Sequence, residues 1–70
     1  MYDKLLQGIE AAIGIPGPVR VVVNNEDQRM LAEAAIPELA QKLGRSGDDI
    51  GVHLTEEHPV GTVFSSEETN

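Results

Sequence analysis

The chain has one cluster of side chains of the types that bind metals, and its members are His53, Glu56, Glu57 and His58. Metal sites need several such ligands that converge with supporting hydrogen bonds, which a short turn provides poorly. The sequence contains no HExxH motif and no Cys, so the usual zinc spacings are missing. We therefore predict no metal site and interpret this segment as a solvated acidic turn that bends at His58-Pro59.

Enzymatic chemistry has equally little support. Without Cys, and with no serine in a GxSxG motif, nucleophilic catalysis has no recognisable candidate. The carboxylate pairs Asp48-Asp49 and Glu56-Glu57 would need a pocket to shift their pKa values, and a pocket is hard to build in 70 residues. The glycines around Pro16 match no phosphate-binding loop. We expect a non-enzymatic protein that uses no cofactor.

The formal charge of -7 is unevenly distributed. Residues 1–45 contain all five bases and six acids, whereas residues 46–70 contain six acids and no base. Such a segment either keeps a small protein soluble or docks on a basic surface of a partner protein. For the second case we predict the partner-binding residues Asp48, Asp49, Glu56 and Glu57. The acidic balance disfavours direct binding to nucleic acid or to an anionic membrane.

Composition indicates one small folded unit, with 40% hydrophobic residues but only one Tyr and one Phe. We expect a single domain over residues 1–64 and a flexible acidic tail over residues 65–70. The sequence contains no run of about 18 apolar residues, the length needed to span a membrane, and its first residues lack the apolar block of a signal peptide. These features predict a cytoplasmic location. A core of this size rarely supplies more than about 3–5 kcal/mol, which favours a homodimer or a partner subunit.

Apolar spacing predicts a first helix from Asp3, as its cap, to Ile13, with Gly14 left-handed at its end. Two prolines make residues 14–18 a stiff turn. Residues 19–23 are β-branched and nearly all apolar, which is typical of a strand buried on both faces.

A capping box of Asn25 and Gln28 predicts a second helix that starts near Glu26. Its predicted apolar stripe consists of Leu31, Ala34, Ala35, Leu39 and Leu43. Pro37 either kinks this helix or splits it into two, and both alternatives stay open.

Alternation of apolar residues over 50–54 indicates a strand, although Ser46 and Asp49 could instead cap a short helix that ends at His53. A further strand over 60–64 is expected to pair with it as a hairpin through residues 56–59. The predicted fold is α/β (α+β), a small two-layer domain in the order α-β-α-β-β. Its three-stranded sheet has both helices on one face and leaves Val22 and Val63 on the other. This uncovered face and the sheet edges favour self-association or strand addition by a partner.

Residues 21–26 followed by Met30, and Val52-His53 followed by residues 60–64, resemble segments of ClpS-type adaptors. These adaptors deliver proteins with destabilising N-termini to an AAA+ protease. The resemblance implies a pocket for a peptide α-amine, lined here by Asn24, Asn25, Glu26, Met30 and His53.

The function that we predict is a non-enzymatic protein-binding or regulatory module, or an inhibitor, that engages a basic partner through its acidic C-terminal third. Two alternatives stay open. One is a ClpS-like peptide-binding adaptor, and the other is a structural subunit of a larger assembly.

Overall fold

A computed structural model describes residues 2–65 of the chain. Its elements are α1 (Asp3–Ile13), β1 (Val19–Val23), α2 (Glu26–Lys42), β2 (Ile50–Leu54) and β3 (Val63–Ser65). The predicted order of elements is confirmed, and residues 50–54 form a strand rather than a helix. Of the predicted tail, Ser65 ends β3 and the remainder lies outside the described residues.

The three strands form one mixed sheet with β1 in the middle and β2 and β3 at its edges. β1 runs parallel to β2, with Val21 opposite Val52, and antiparallel to β3, with Val21 opposite Val63. The predicted hairpin between β2 and β3 is therefore wrong. β1 is the most apolar strand and gains most from a central position, and the connection from Leu54 to Val63 is long enough to pass around its end.

Both helices pack on one face of this sheet and against each other, as predicted. Their buried side chains meet Val19, Val21 and Val23 of β1, and they include Leu5, Ile9, Ala12, Ala32, Ile36 and Ala40. The stripe predicted for α2 is confirmed in part: Leu31, Ala35 and Leu39 pack against this core, whereas Ala34 and Leu43 are exposed. The most buried positions of α2 are 32, 36 and 40. Small alanines at two of these positions let the helix lie close to the sheet.

The start of α2 shows how local sequence fixes a helix end. The Asn25 side chain accepts a hydrogen bond from the Gln28 backbone N–H at 2.9 Å. The Gln28 side chain accepts one from the Asn24 backbone N–H at 2.7 Å, one residue earlier than in the predicted capping box. α2 then continues through Pro37 as a single helix and ends before Gly44, which has a φ of 77°.

The end of α1 differs from the prediction, because Gly14 is right-handed with a φ of -78°. The backbone N–H groups of Gly14 and Ile15 bind the carbonyls of Ala11 and Ala12, and further donors at this helix end come from Arg45. Its guanidinium donates at 2.6–3.2 Å to the backbone oxygens of Ala12, Ile13, Ile15 and Gly17. Arg45 thereby also supplies the positive charge that the last turn of α1 lacks.

The other sheet face is partly covered by the chain itself. Val22 lies on this face, as predicted, yet it is fully buried. His53, directly opposite Val22 on β2, meets Phe64 of β3 in an edge-to-face contact with ring centroids 6.0 Å apart. Val63 faces the helices, so the prediction that it lies on the open face is wrong. Because side chains alternate along a strand, Phe64 lies on the open face instead of Val63.

Candidate functional site

The outer edge of β2, free of any pairing strand within residues 2–65, has backbone groups that point away from the sheet. Asp49 O accepts from Val19 N–H, and Thr55 N–H donates to Val23 O, each at 2.9 Å. Odd-numbered residues therefore bond to β1, and strand alternation turns the amide and carbonyl groups of Val52 and Leu54 away from it. Ile50 N–H is satisfied locally by Gly47 O at 3.1 Å. Such an edge is a template for a further strand.

A groove of about 350 Å³ lies beside this edge, between β2 and α2. Its apolar lining comes from Ile36 and Pro37 of α2 and from Ile50 and Val52 of β2, and Glu33 and Asp48 add carboxylates. Gly47 permits the close approach of the two elements, because a Cβ atom there would lie 3.2 Å from Ile36 Cγ2. The groove therefore has an apolar lining with acidic groups.

The four acids predicted to bind a partner do not form one patch. Asp48 and Asp49 precede β2, whereas Glu56 and Glu57 follow it, and all four are exposed. β2 spans about 13 Å at the usual rise per residue, which exceeds the Debye length of about 8 Å at physiological ionic strength. Negative charge therefore flanks the free edge at both ends.

Arg29 and Arg45 are bound within the chain, whereas Arg20 is exposed on the sheet, with its Cγ beside Gly51 of β2. Arg45 holds the end of α1 and lies 3.9 Å from Asp49. Arg29 forms ion pairs with Glu26 and Glu33 on α2. Among residues 2–65, by contrast, no ion pair involves Asp48, Glu56 or Glu57. Of the four acids predicted to bind a partner, these three are therefore unpaired within residues 2–65.

The Arg29 contacts shift two titrations. The hydrogen bond from Arg29 lowers the pKa of the Glu26 carboxyl, against a smaller opposing effect of desolvation. The pKa of Arg29 is raised, first by that hydrogen bond and then by the charges of Glu26 and Glu33. Arg29 is therefore held by two carboxylates of its own helix.

Three of the residues implied by the adaptor resemblance have local roles at the junction of β1 and α2. Asn24 donates its side-chain amide to Thr55 O and His58 O, both at 2.8 Å, and so holds the loop after β2. Asn25 caps α2, and Glu26 pairs with Arg29.

The other two residues lie on opposite sides of the sheet. Met30 is 61% exposed on α2, on the side of the helix that faces away from the sheet. His53 lies on the sheet face opposite the helices, against Phe64. Neither contributes to the groove beside β2 or to a second, more open groove between α1 and residues 59–62.

Within residues 2–65 no three His, Asp or Glu side chains are grouped so that they could hold a metal ion. Over the same range, no helix has the length and apolar character needed to cross a membrane. Comparison with known proteins gave no match to any family model, curated protein or solved structure.

Proposed function

We propose that this protein is a non-enzymatic protein-binding module that engages a basic surface of a partner. One observation carries the proposal. Exposed carboxylates that lack an ion pair within residues 2–65 lie at both ends of β2, while Arg29 and Arg45 are bound internally. A partner with Lys or Arg at matching positions gains attraction at both ends without displacing a base of this chain.

Electrostatic attraction of this kind acts mainly on association rate and partner choice. Because the four acids are exposed, salt screens them strongly, and binding should weaken as ionic strength rises. A regulatory or inhibitory role follows if the partner's own basic surface serves to bind an anionic substrate.

The test compares two variants that change the net charge equally, from -7 to -3. Asp48→Lys with Glu57→Lys reverses one acid at each end of β2. Glu10→Lys with Glu38→Lys reverses two exposed helix acids that form no ion pair with any described residue. Each protein is used to capture partners from a lysate of its source cells, and the bound proteins are eluted with increasing salt.

We expect the wild type and the helix variant to retain one basic protein that the β2 variant loses. Isothermal titration of that purified protein should then show at least about tenfold weaker binding to the β2 variant. Equal binding to both variants, or recovery of no salt-sensitive partner, would contradict the proposal.

We also propose a cytoplasmic location and a homodimer, and any homodimer should use the sheet face formed by Arg20, His53 and Phe64. Pairing of two β2 edges would bring acids against acids. Analytical ultracentrifugation of wild type and Phe64→Ala tests this, since the substitution should shift a face-to-face dimer toward monomer.

An adaptor role of the ClpS kind stays a prediction with a direct test. Peptides with N-terminal Leu should bind in the free form and lose affinity when acetylated. Equal affinity of both forms would exclude recognition of the α-amine.

A further inference from the structure

We infer that the free edge of β2 binds an extended segment of the partner as a fourth strand, with basic residues at both ends of that segment. The inference rests on the proposed function for the charge of the partner and adds the mode of binding. It assigns the backbone of Val52 and Leu54 as the hydrogen-bonding groups and the groove beside α2 as the site for side chains.

The backbone geometry supports strand addition. The amide and carbonyl groups of Val52 and Leu54 point away from β1, as the flanking bonds of Asp49 and Thr55 require. An incoming strand of about five residues matches the length of β2. Main-chain hydrogen bonds would supply affinity, and pockets for alternate side chains would supply selectivity.

Side chains of the added strand would alternate between two environments. Those on the helix side would enter the groove lined by Ile36, Ile50 and Val52, which suits aliphatic residues. Those on the other side would lie beside Gly51, where the nearest described atom to a Cβ would be Arg20 Cγ, at 3.8 Å. We therefore expect apolar and small polar residues to alternate in the bound segment.

The charges decide between a partner segment and a second copy of this chain. If two β2 edges paired antiparallel, Asp48 and Asp49 of each copy would meet Glu56 and Glu57 of the other. Parallel pairing would bring identical acids together. Like charges directly opposite each other destabilise strand pairs. A segment with Lys or Arg about seven residues apart would instead meet an acid at each end.

The probe is a nine-residue peptide with blocked termini, in which two Lys at each end flank Val-Thr-Val-Thr-Val. Its matched control has the same composition with all four Lys in the centre. Both are titrated into the ¹⁵N-labelled full chain at low salt. The first peptide should bind at least about five times more tightly. It should also protect the Val52 and Leu54 amides from hydrogen exchange, while the Gly51 and His53 amides, already bonded to β1, change little.

Two further comparisons isolate the backbone contribution. Leu54→Pro removes an outward N–H at an edge position, where proline is tolerated, whereas Leu54→Val keeps it. Leu54→Pro should bind the peptide about fivefold more weakly than Leu54→Val, because it lacks one hydrogen bond to the peptide. If Leu54→Pro does not fold, the same question is answered with the unaltered protein and a peptide methylated at its backbone nitrogens. That peptide should not bind.

The outcomes separate the two proposals. Binding of both peptides with equal affinity and without protection of Val52 and Leu54 would overturn strand addition and leave the electrostatic proposal standing. Absence of binding up to millimolar peptide would also overturn strand addition. Equal binding of a probe with Glu in place of Lys would contradict the proposed function itself.

Discussion

Replacement of Arg45 by Met should remove most of the stability of this fold. Arg45 joins the end of α1, the turn before β1 and the segment between α2 and β2. Its guanidinium donates to four backbone oxygens at 2.6–3.2 Å, and its side chain is only 20% exposed. Met keeps the apolar stem but donates nothing, so these carbonyls lose a charged donor.

The size of the effect follows from the number of bonds and their exposure. One hydrogen bond to a charged group contributes about 1.5–3 kcal/mol. Since the site is partly exposed, water would replace some of the lost bonds, and we expect a loss of about 2–4 kcal/mol in the free energy of unfolding. This loss approaches the total folding stability of about 3–5 kcal/mol that is expected for a core of this size. The melting temperature should fall by more than about 10 °C.

Urea unfolding followed by circular dichroism measures this loss, with three matched variants. Arg45→Lys should recover part of it, because an ammonium lacks the planar fork that reaches several carbonyls at once. Arg20→Met, at an exposed position on the sheet, should change stability by less than about 0.5 kcal/mol. Asp49→Asn should have an equally small effect, since its ion pair is long and exposed. An Arg45→Met protein within about 0.5 kcal/mol of the wild type would refute the reasoning.

Three further predictions concern other single positions. Gly61→Ala should destabilise the fold by about 2 kcal/mol or more, because Gly61 has a φ of 88° and the added Cβ atom would lie 3.0 Å from the Lys4 carbonyl carbon. Gly44 is also left-handed but has open space around it, so Gly44→Ala should destabilise the fold by about 1 kcal/mol. Equal effects of the two substitutions would show that the contact with Lys4 does not contribute. Pro37→Ala should raise the urea midpoint, because it restores a helical N–H at an exposed position; an unchanged or lower midpoint would contradict this. The pKa of Glu26 is lowered in the fold, so its pairing with Arg29 stabilises the protein above the unfolded pKa of about 4.3. This stabilisation is lost as the pH falls through the folded pKa. Glu26→Gln should therefore lower the urea midpoint at pH 7 but leave it unchanged at a pH below the folded pKa, and an equal reduction at both pH values would reject the ion pair as the cause.

Much of this fold was predictable because its signals are local. The bounds of α1, β1 and β2 follow from apolar spacing, and the start of α2 follows from Asn25 and Gln28. The errors have long-range causes. Gly14 is right-handed, and the end of α1 is bound by Arg45, which lies far along the chain.

The pairing of β3 could not be derived from spacing, because a hairpin and a crossover place the same residues in strands. The strand order depends on which strand gains most from burial on both faces. β1 takes the central position, and only Arg20 among its five residues is exposed. For the candidate site, sequence alone identified the exposed acids. Their division between two ends of an edge strand required the strand order, and the groove required α2 to continue through Pro37.

The central position of β1 also explains why the acids lie where they do. Once β1 is in the middle, β2 must be an edge, and an apolar edge strand invites pairing with further copies of the chain. Charges that flank such a strand oppose this pairing, since each copy would present carboxylates to carboxylates. The same charges attract a strand that carries Lys or Arg at its ends. Protection against self-association and selection of a basic partner are therefore two consequences of one arrangement, and substitutions at Asp48 and Glu57 should change both together.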